Sequence, residues 1–327
     1  MPAAVSVIMN CYNSARYLKA ALQSLFAQTH KDFELIFFDN ASTDESPDIL
    51  REAAKAFPDK VRYFRGQKTI PLGAARNEAL SHAQGEYIAF LDCDDLWLPE
   101  KLARQTLLFE ADSKVGLACT DTEIFDGERV LRRLFLESEP ARGMVFKELV
   151  KRQWISMSSA MLRREALESL VKTSEDASRG DRHGYFDERM NVCEEADVFY
   201  RIAHDWALDY VDAPLTRWRV HGSNTTFSKF GQFAEETLYI LEKHRRLYPG
   251  YDTEHADLVE TLTRRAAFQK GVALWREGKN RQARLAVAPW RRASLKHRLF
   301  WWASFFPGIF FDWGAKIYFS LPVVLRR

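Results

Sequence analysis

The sequence predicts an α/β protein, a mostly parallel sheet with helices on both faces, followed by a helical C-terminal tail. Three observations carry this expectation. Short apolar runs rich in β-branched and aromatic residues alternate with helical periodicity through the first 120 residues. The runs end in polar turns, as strands do at the carboxyl edge of an open α/β sheet. From Phe233 onward the periodicity is helical.

In chain order, Val5 to Met9, Glu34 to Asp39, Val61 to Arg65, Tyr87 to Leu91 and Val115 to Thr120 read as strands. Between the first two, Tyr17, Leu18, Ala21, Leu22, Leu25 and Phe26 recur at helical spacing, and Ser46 followed by Pro47 reads as an N-cap and first-turn pair. After Thr120 the pattern changes: Thr122 to Phe125, the Asp126-Gly127 turn and Val130 to Phe135 read as a hairpin. Helical or mixed segments follow at Val145 to Arg152, Arg164 to Leu170 and Glu194 to His204, with a polar loop at Thr173 to Gly184 and a strand-like Leu208 to Leu215. The expected organisation is a ligand-binding half over residues 1–120, a second half over 121–230 and a helical region over 231–327.

Composition narrows the class. With 327 residues and 46% hydrophobic content the chain has ample core, which excludes disorder as its main state. The formal charge of +2 conceals an asymmetry, because residues 264–327 hold 14 Lys and Arg against two acids, a local +12 that leaves −10 on the remainder. The aromatics of that tail sit in apolar blocks at Leu299 to Phe311 and Ile317 to Leu325, each shorter than the about 20 residues a spanning helix needs. A basic, aromatic segment of this kind fits a membrane surface better than nucleic acid and suggests an interface-lying anchor; the alternative is a helix pair packed on the rest of the protein. Cys11, Cys93, Cys119 and Cys193 match no metal or CxxC spacing and fall in or beside apolar segments, as reduced buried thiols do. No basic leader precedes Val5 to Met9, so that run is expected to be a strand rather than a signal peptide, and the protein is expected on the cytoplasmic face.

The chemistry concentrates at Tyr87 to Asp95, an apolar strand that ends in Asp92, Asp94 and Asp95. Packed acids repel and resist desolvation, and a divalent cation held against a diphosphate would neutralise them. Asp92 and Asp94 are two residues apart, so on extended backbone they point the same way and can share Mg²⁺ or Mn²⁺; a helix N-cap role for Asp94 or Asp95 is the alternative. The first two strands end in Asn10 to Asn13 and Asp39 to Asp44 at the same sheet edge, where a nucleotide would sit. There Asp39 can accept from a base or ribose and Tyr12 can lie against the base, whereas Asn13 and Ser42 serve either the ligand or the turn itself.

Taken together, Val5 to Asn13, Asp39 to Asp44, Gly73 to Asn77 and the run from Asp92 through Trp97 and Pro99 to Lys101 resemble family 2 glycosyltransferases of the GT-A fold, over about residues 3–225. The resemblance implies an inverting transferase that moves a sugar from a nucleotide-diphosphate donor, a UDP-sugar by expectation, to a hydroxyl of a glycan or lipid-linked acceptor. It implies that Cys11, Tyr12, Asn13, Asp39 and Ser42 surround the nucleotide, that Gly73, Arg76 and Asn77 also bind the donor, and that Arg76 reaches the base or the diphosphate. It further implies that Asp92 and Asp94 serve ribose and metal, that the late Arg219-x-His221 element lies by the phosphates or the metal, and that Glu195 in the Glu194 Glu195 Ala196 Asp197 cluster is the catalytic base, with Asp197 as the fallback. Three acids in a helix's first turn also suit its dipole, which is the alternative reading of that cluster. The chain departs from the family pattern at Asn10 and Asn40, where proline and a second aspartate are usual. No glycine-rich phosphate loop follows the first strand, which disfavours a nucleotidyltransferase and a dehydrogenase. A non-catalytic protein that retains the fold is the rival of another class.

Overall fold

The computed structural model describes residues 3–137, 139–172, 184–222 and 229–306. They form two compact units, residues 1–221 and 222–327.

The first unit carries strands β1 (Val5–Cys11), β2 (Phe33–Asp39), β3 (Val61–Arg65), β4 (Tyr87–Phe90), β5 (Leu96–Trp97), β6 (Val115–Asp126), β7 (Arg129–Arg133), β8 (Met161–Arg163) and β9 (Ala207–Arg219). Its helices are α1 (Ala15–Phe26), α2 (Ser46–Ala56), α3 (Leu72–Leu80), α4 (Lys101–Ala111), α5 (Phe146–Lys151), α6 (Arg164–Lys172) and α7 (Glu194–Asp205). The strands form one sheet in the order β3-β2-β1-β4-β8-β6-β9-β5, with β7 paired to β6. Strands β1 to β4 are mutually parallel, β8 is antiparallel to both of its neighbours, and β9 runs parallel to β6. The carboxyl ends of β1, β2, β3, β4, β6 and β9 therefore share one edge.

Burial explains the strand sequences. Every residue of β2 is buried, as is nearly all of β1, so both read as continuous apolar runs rather than alternating ones. In α1 the buried set is Leu18, Ala21, Leu22 and Leu25, a helical stripe laid on the sheet. All four cysteines are buried, and none is in a disulfide.

The expected strands are present, and three features were not foreseen. Residues 115–126 form a single strand with register shifts rather than a strand followed by a hairpin arm, although the hairpin with β7 is there. Strand β8, only three residues long, comes from the second half of the unit and lies between β4 and β6. Ser46 is not the N-cap of α2: it is the first helical residue, with Pro47 next, and its Oγ accepts from Ser14 N at the start of α1. The capping acceptor is Asp44, whose two oxygens take Ala15 N at 2.9 Å and Ser46 N at 3.0 Å, the first residues of two helices.

The second unit is helical: α8 (Phe230–Leu247), α9 (Tyr251–Glu254), α10 (Ala256–Arg276), α11 (Asn280–Val287) and α12 (Leu295–Ala303). Val272, Trp275, Ala283, Val287 and Phe300 make its small core. Gly271 is required there, since a Cβ would stand 2.5 Å from Val287 and 3.1 Å from Phe300. Among the described residues no helix is long and apolar enough to cross a membrane. The apolar block 317–325, residues 307–311 of the other block, and residues 173–183 of the polar loop lie outside the described residues.

Because one carboxylate caps two helices, Asp44→Ala is expected to lower stability by about 2 kcal/mol. Urea unfolding followed by circular dichroism checks this, and an unchanged midpoint would contradict the double cap.

Candidate active site

The shared carboxyl edge gathers side chains from several strands and helices. At its left end, register places Cys11 beside Asp39 and Asp39 beside Arg65. Asp39 is fully buried: Oδ1 accepts from Ser42 N at 2.8 Å, Oδ2 accepts from Tyr63 Oη at 2.9 Å, and Arg65 Nε stands 3.5 Å away. Ser42 Oγ in turn accepts from Asn13 N at 3.1 Å, and Asn13 Oδ1 accepts from Thr43 N at 2.8 Å, which laces the turn after β1 to the turn after β2. Both turns use left-handed backbone, at Asn13 (φ 50°) and Ala41 (φ 61°). Asparagine tolerates this, whereas for alanine it costs about 1–2 kcal/mol and signals a turn held in place by its surroundings. Tyr12 stands exposed at the rim of this pocket.

The turn after β4 is built from both sides. Cys93 Sγ donates to Asn10 O at 3.3 Å. The neighbouring Cys93 thiol brings the Cys11 thiol down to about 7 against the opposing effect of burial, and the same proximity with burial pushes Cys93 up. Ser158 Oγ accepts from Asp92 N at 3.1 Å and lies 2.6 Å from Asp95 Oδ2. Arg219 N donates to Asp95 Oδ1 at 3.0 Å, and Arg219 Nε donates to Asp94 O at 2.8 Å. Burial, then the neighbouring Asp94 and Asp92, holds Asp95 well above the usual carboxylate range. Asp94 itself meets His221, Oδ2 to Nε2 at 2.8 Å, with the imidazole against the Tyr17 ring at 5.0 Å.

Asp92 faces the other way, toward Arg76. This guanidinium is buried and surrounded by carboxylates: a close ion pair with Glu194, and 3.7 Å separations from both Asp92 Oδ1 and Glu195 Oε2. Its remaining face lies over Phe186 at 5.4 Å. Burial raises Asp92 to about 6 although its side chain partly opens on the cleft; Arg76 opposes the shift, and Asp94 and Glu194 add to it. Burial, then Glu194, raises Glu195 to about 8, again against Arg76. Glu194 is buried, and its Oε2 has no hydrogen-bond partner among the described residues.

Gly73 lets this happen: a Cβ there would sit 2.3 Å from Asp187 O, so only glycine allows α3 to approach the segment leading into α7. Asn77 completes that seam, donating to Phe186 O at 2.8 Å while its Oδ1 accepts from Phe186 N at 3.0 Å.

The structure thus brings Arg76, Asp92, Asp94, Glu195, Arg219 and His221 together, and gathers Cys11, Asn13, Asp39 and Ser42 in the adjoining pocket. It turns two expected site residues inward: the Asn77 amide is bonded to the Phe186 backbone, and the fully buried Asp197 is held by Arg201 at 2.7 and 3.0 Å. Sequence reasoning missed Glu194 as the ion-pair partner of Arg76, and Ser158 and Asp95 as the latch beneath the turn. The four-residue spacing of Asp197 and Arg201 was the available sign of an intrahelical pair, whereas Ser158 had none.

Solved structures place the fold. TarS of S. aureus bound to UDP-GlcNAc superposes with a TM-score of 0.55 at 17% identity, over 86% of this chain and 87% of that one. The mannosyltransferase PcManGT of Pyrobaculum calidifontis with GDP-Man and Mn²⁺ gives 0.62 at 19% identity, over 99% and 83%. The sheet is that of the GT-A fold. In sequence, the glycosyl transferase family 2 profile matches residues 6–171. An uncharacterised glycosyltransferase of Nostoc, alr2836, is 28% identical over 71% of this chain and 69% of its own length. TuaG of Bacillus subtilis strain 168, a glycosyltransferase named for teichuronic acid biosynthesis, is 39% identical over 31% of this chain and 40% of its own length. The chain belongs to glycosyl transferase family 2 and is a glycosyltransferase.

Arg76 holds the acids together, so its loss strands the buried Glu194. Arg76→Met is expected to cost about 3–5 kcal/mol, with part recovered by adding Glu194→Gln. Urea midpoints measure both, and an undiminished midpoint for the single variant would contradict the arrangement.

Proposed function

We propose that the protein is an inverting, metal-assisted transferase that moves a sugar from a UDP-sugar to a hydroxyl of a glycan or lipid-linked acceptor, working as a peripheral protein on the cytoplasmic face of a membrane. The observation that carries this reading is the Arg76 guanidinium, which stands 3.7 Å from both Asp92 of the β4 turn and Glu195 of α7 and so fixes the donor side against a candidate base. The first 120 residues supply the nucleotide pocket and the following segment to about residue 230 the acceptor side.

In this reading the base and ribose lie over the turns holding Cys11, Tyr12, Asn13, Ser42 and Asp39. Asp39 acts there through the turn it braces, because its oxygens already accept from Ser42 and Tyr63. The metal, Mg²⁺ or Mn²⁺, suits Asp94 and His221, two adjacent donors. Among the described residues no preformed group of three ligands exists, and hard cations of this kind are commonly completed by substrate phosphates. When bound, the metal would stabilise charge developing on the departing nucleoside diphosphate. Arg219 holds the Asp94 carbonyl and the Asp95 carboxylate, which keeps the turn and His221 in register.

Glu195 takes the acceptor proton. Its side chain is partly open to the cleft, and its raised pKa suits a base that must accept a proton near neutrality. The sugar bond to the leaving phosphate breaks as the acceptor oxygen attacks from the opposite face, a single displacement that inverts the anomeric centre and needs no covalent enzyme intermediate. Asp197, tied to Arg201, takes no part.

Release of nucleoside diphosphate from a panel of sugar nucleotides with Mn²⁺ or Mg²⁺ tests the reading. Asp94→Ala is expected to abolish metal-dependent turnover, and full activity in that variant would overturn the metal assignment. Glu195→Gln is expected to lower kcat by about 10²–10⁴-fold with donor binding kept, which separates a base from a binding residue. Because a base is active when deprotonated, kcat/KM is expected to rise with pH toward about 8 and then level off; a flat profile through that range would count against Glu195. Calorimetry with UDP, GDP and dTDP in the presence of metal is expected to favour UDP, and a clear preference for GDP would refute that choice.

A further inference from the structure

The second unit carries a feature that glycosyl transfer does not use. Helix α12 is anchored on one side only: Phe300 is buried in the small core, its ring against Trp275 at 5.5 Å and Phe268 at 5.1 Å. Its other side is exposed among the described residues. Leu295, Leu299 and Trp302 repeat at helical spacing and are 45%, 56% and 60% exposed, and Phe305 and Phe306 continue the strip at 51% and 63%. Aromatic side chains of this size are seldom left in water so close together without a partner.

The turn that presents the last two rings is fixed. Phe306 O accepts from Trp275 Nε1 and from Asn280 Nδ2, each at 2.8 Å, Ser304 O accepts from Arg284 at 2.7 Å, and the Arg284 guanidinium lies over the Phe305 ring at 4.3 Å. The strip is thus held outward by hydrogen bonds that do not depend on its being covered.

Charge identifies what would cover it. Between residues 278 and 306 the chain has seven Lys and Arg and no Asp or Glu, and Arg291, Arg292 and Arg298 are exposed on α12 or just before it. An apolar strip rimmed by one sign of charge matches a surface that is apolar beneath and anionic above, which a bilayer with acidic headgroups is and a protein surface rarely is.

We infer that the exposed face of α12 and the turn after it, Leu295, Leu299, Trp302, Phe305 and Phe306 with the adjoining arginines, is a docking surface for anionic lipid bilayers. The helix lies in the interface plane rather than across it. This deepens the peripheral placement proposed above and is independent of the chemistry assigned to the cleft.

Co-sedimentation of the full chain with phosphatidylglycerol-containing vesicles, against phosphatidylcholine alone, tests the inference. The unaltered protein is expected to bind the anionic vesicles and to be released by salt. Leu299→Glu with Trp302→Glu is expected to reduce binding at least tenfold. Arg291→Gln with Arg292→Gln and Arg298→Gln, which alters only exposed side chains, is expected to reduce it about a hundredfold. Equal binding to neutral vesicles, or undiminished binding by either variant, would overturn the inference. So would a concentration-dependent dimer that the Glu variant abolishes in a protein without lipid affinity, since the face would then belong to a second copy. Nucleoside diphosphate release from a soluble donor is expected to be unchanged in both variants; an unaltered protein that turns over donor without binding vesicles sinks the docking surface alone, and one that binds vesicles without turnover sinks the reading of the cleft alone.

Discussion

The first unit depends on one electrostatic constraint: Asp92, Glu194 and Glu195 converge from two elements far apart in sequence, and Arg76 is the cation that lies among them. Without it three carboxylates would share a poorly solvated space, where each would lose hydration and repel the others. With it, the turn after β4 and the start of α7 are drawn to one guanidinium, which also packs on Phe186. A lysine could supply the charge but not the fork that meets several carboxylates in a plane. The compensation is incomplete, as the elevated Asp92 and Glu195 and the unpartnered Glu194 oxygen attest. The site is thereby left short of positive charge and of hydrogen-bond donors.

Topology makes this convergence possible. Six strands deliver their carboxyl ends to one edge, and the antiparallel β8 between β4 and β6 follows directly on the segment that carries Ser158. That serine bonds both the Asp92 amide and the Asp95 carboxylate, so the acidic turn is set from below by the sheet rather than by its own sequence. At the turns after β1 and β2, Asp39 and Ser42 brace the backbone from within, and Asp44 caps two helices that leave the same edge. The binding turns are thereby built on rigid elements, which a transferase that must align two substrates requires.

Much of this was legible before any coordinates. Apolar runs that end in acids, at Phe37 to Asp39 and Phe90 to Asp95, marked both the strands and the edge where they stop, because burial on two faces forces continuous hydrophobicity and only a strand's end can turn polar. Strand β8 was not legible: three residues, Met161 to Arg163, hold too little pattern to separate a strand from the start of the following helix. Among the three acids of α7 the resemblance put Glu195 first and Asp197 second, and the contacts separate them, giving Glu194 to Arg76, Asp197 to Arg201 and leaving Glu195 partly open. Asn77 and Ser158 show the same limit, since a hydrogen bond to a backbone more than sixty residues away leaves no local trace.

The central claim is the proposal that Asp94 after β4 and the imidazole after β9 meet around a cation that holds the donor's diphosphate. Diffraction from crystals soaked in Mn²⁺ and UDP, recorded for the anomalous signal of manganese, tests it most directly. The account predicts one strong peak within coordination distance of Asp94 and His221, with diphosphate oxygens completing its shell and the uridine over the turn that contains Tyr12. A peak elsewhere in the unit, or UDP bound in that pocket with neither residue touching the metal, would contradict it.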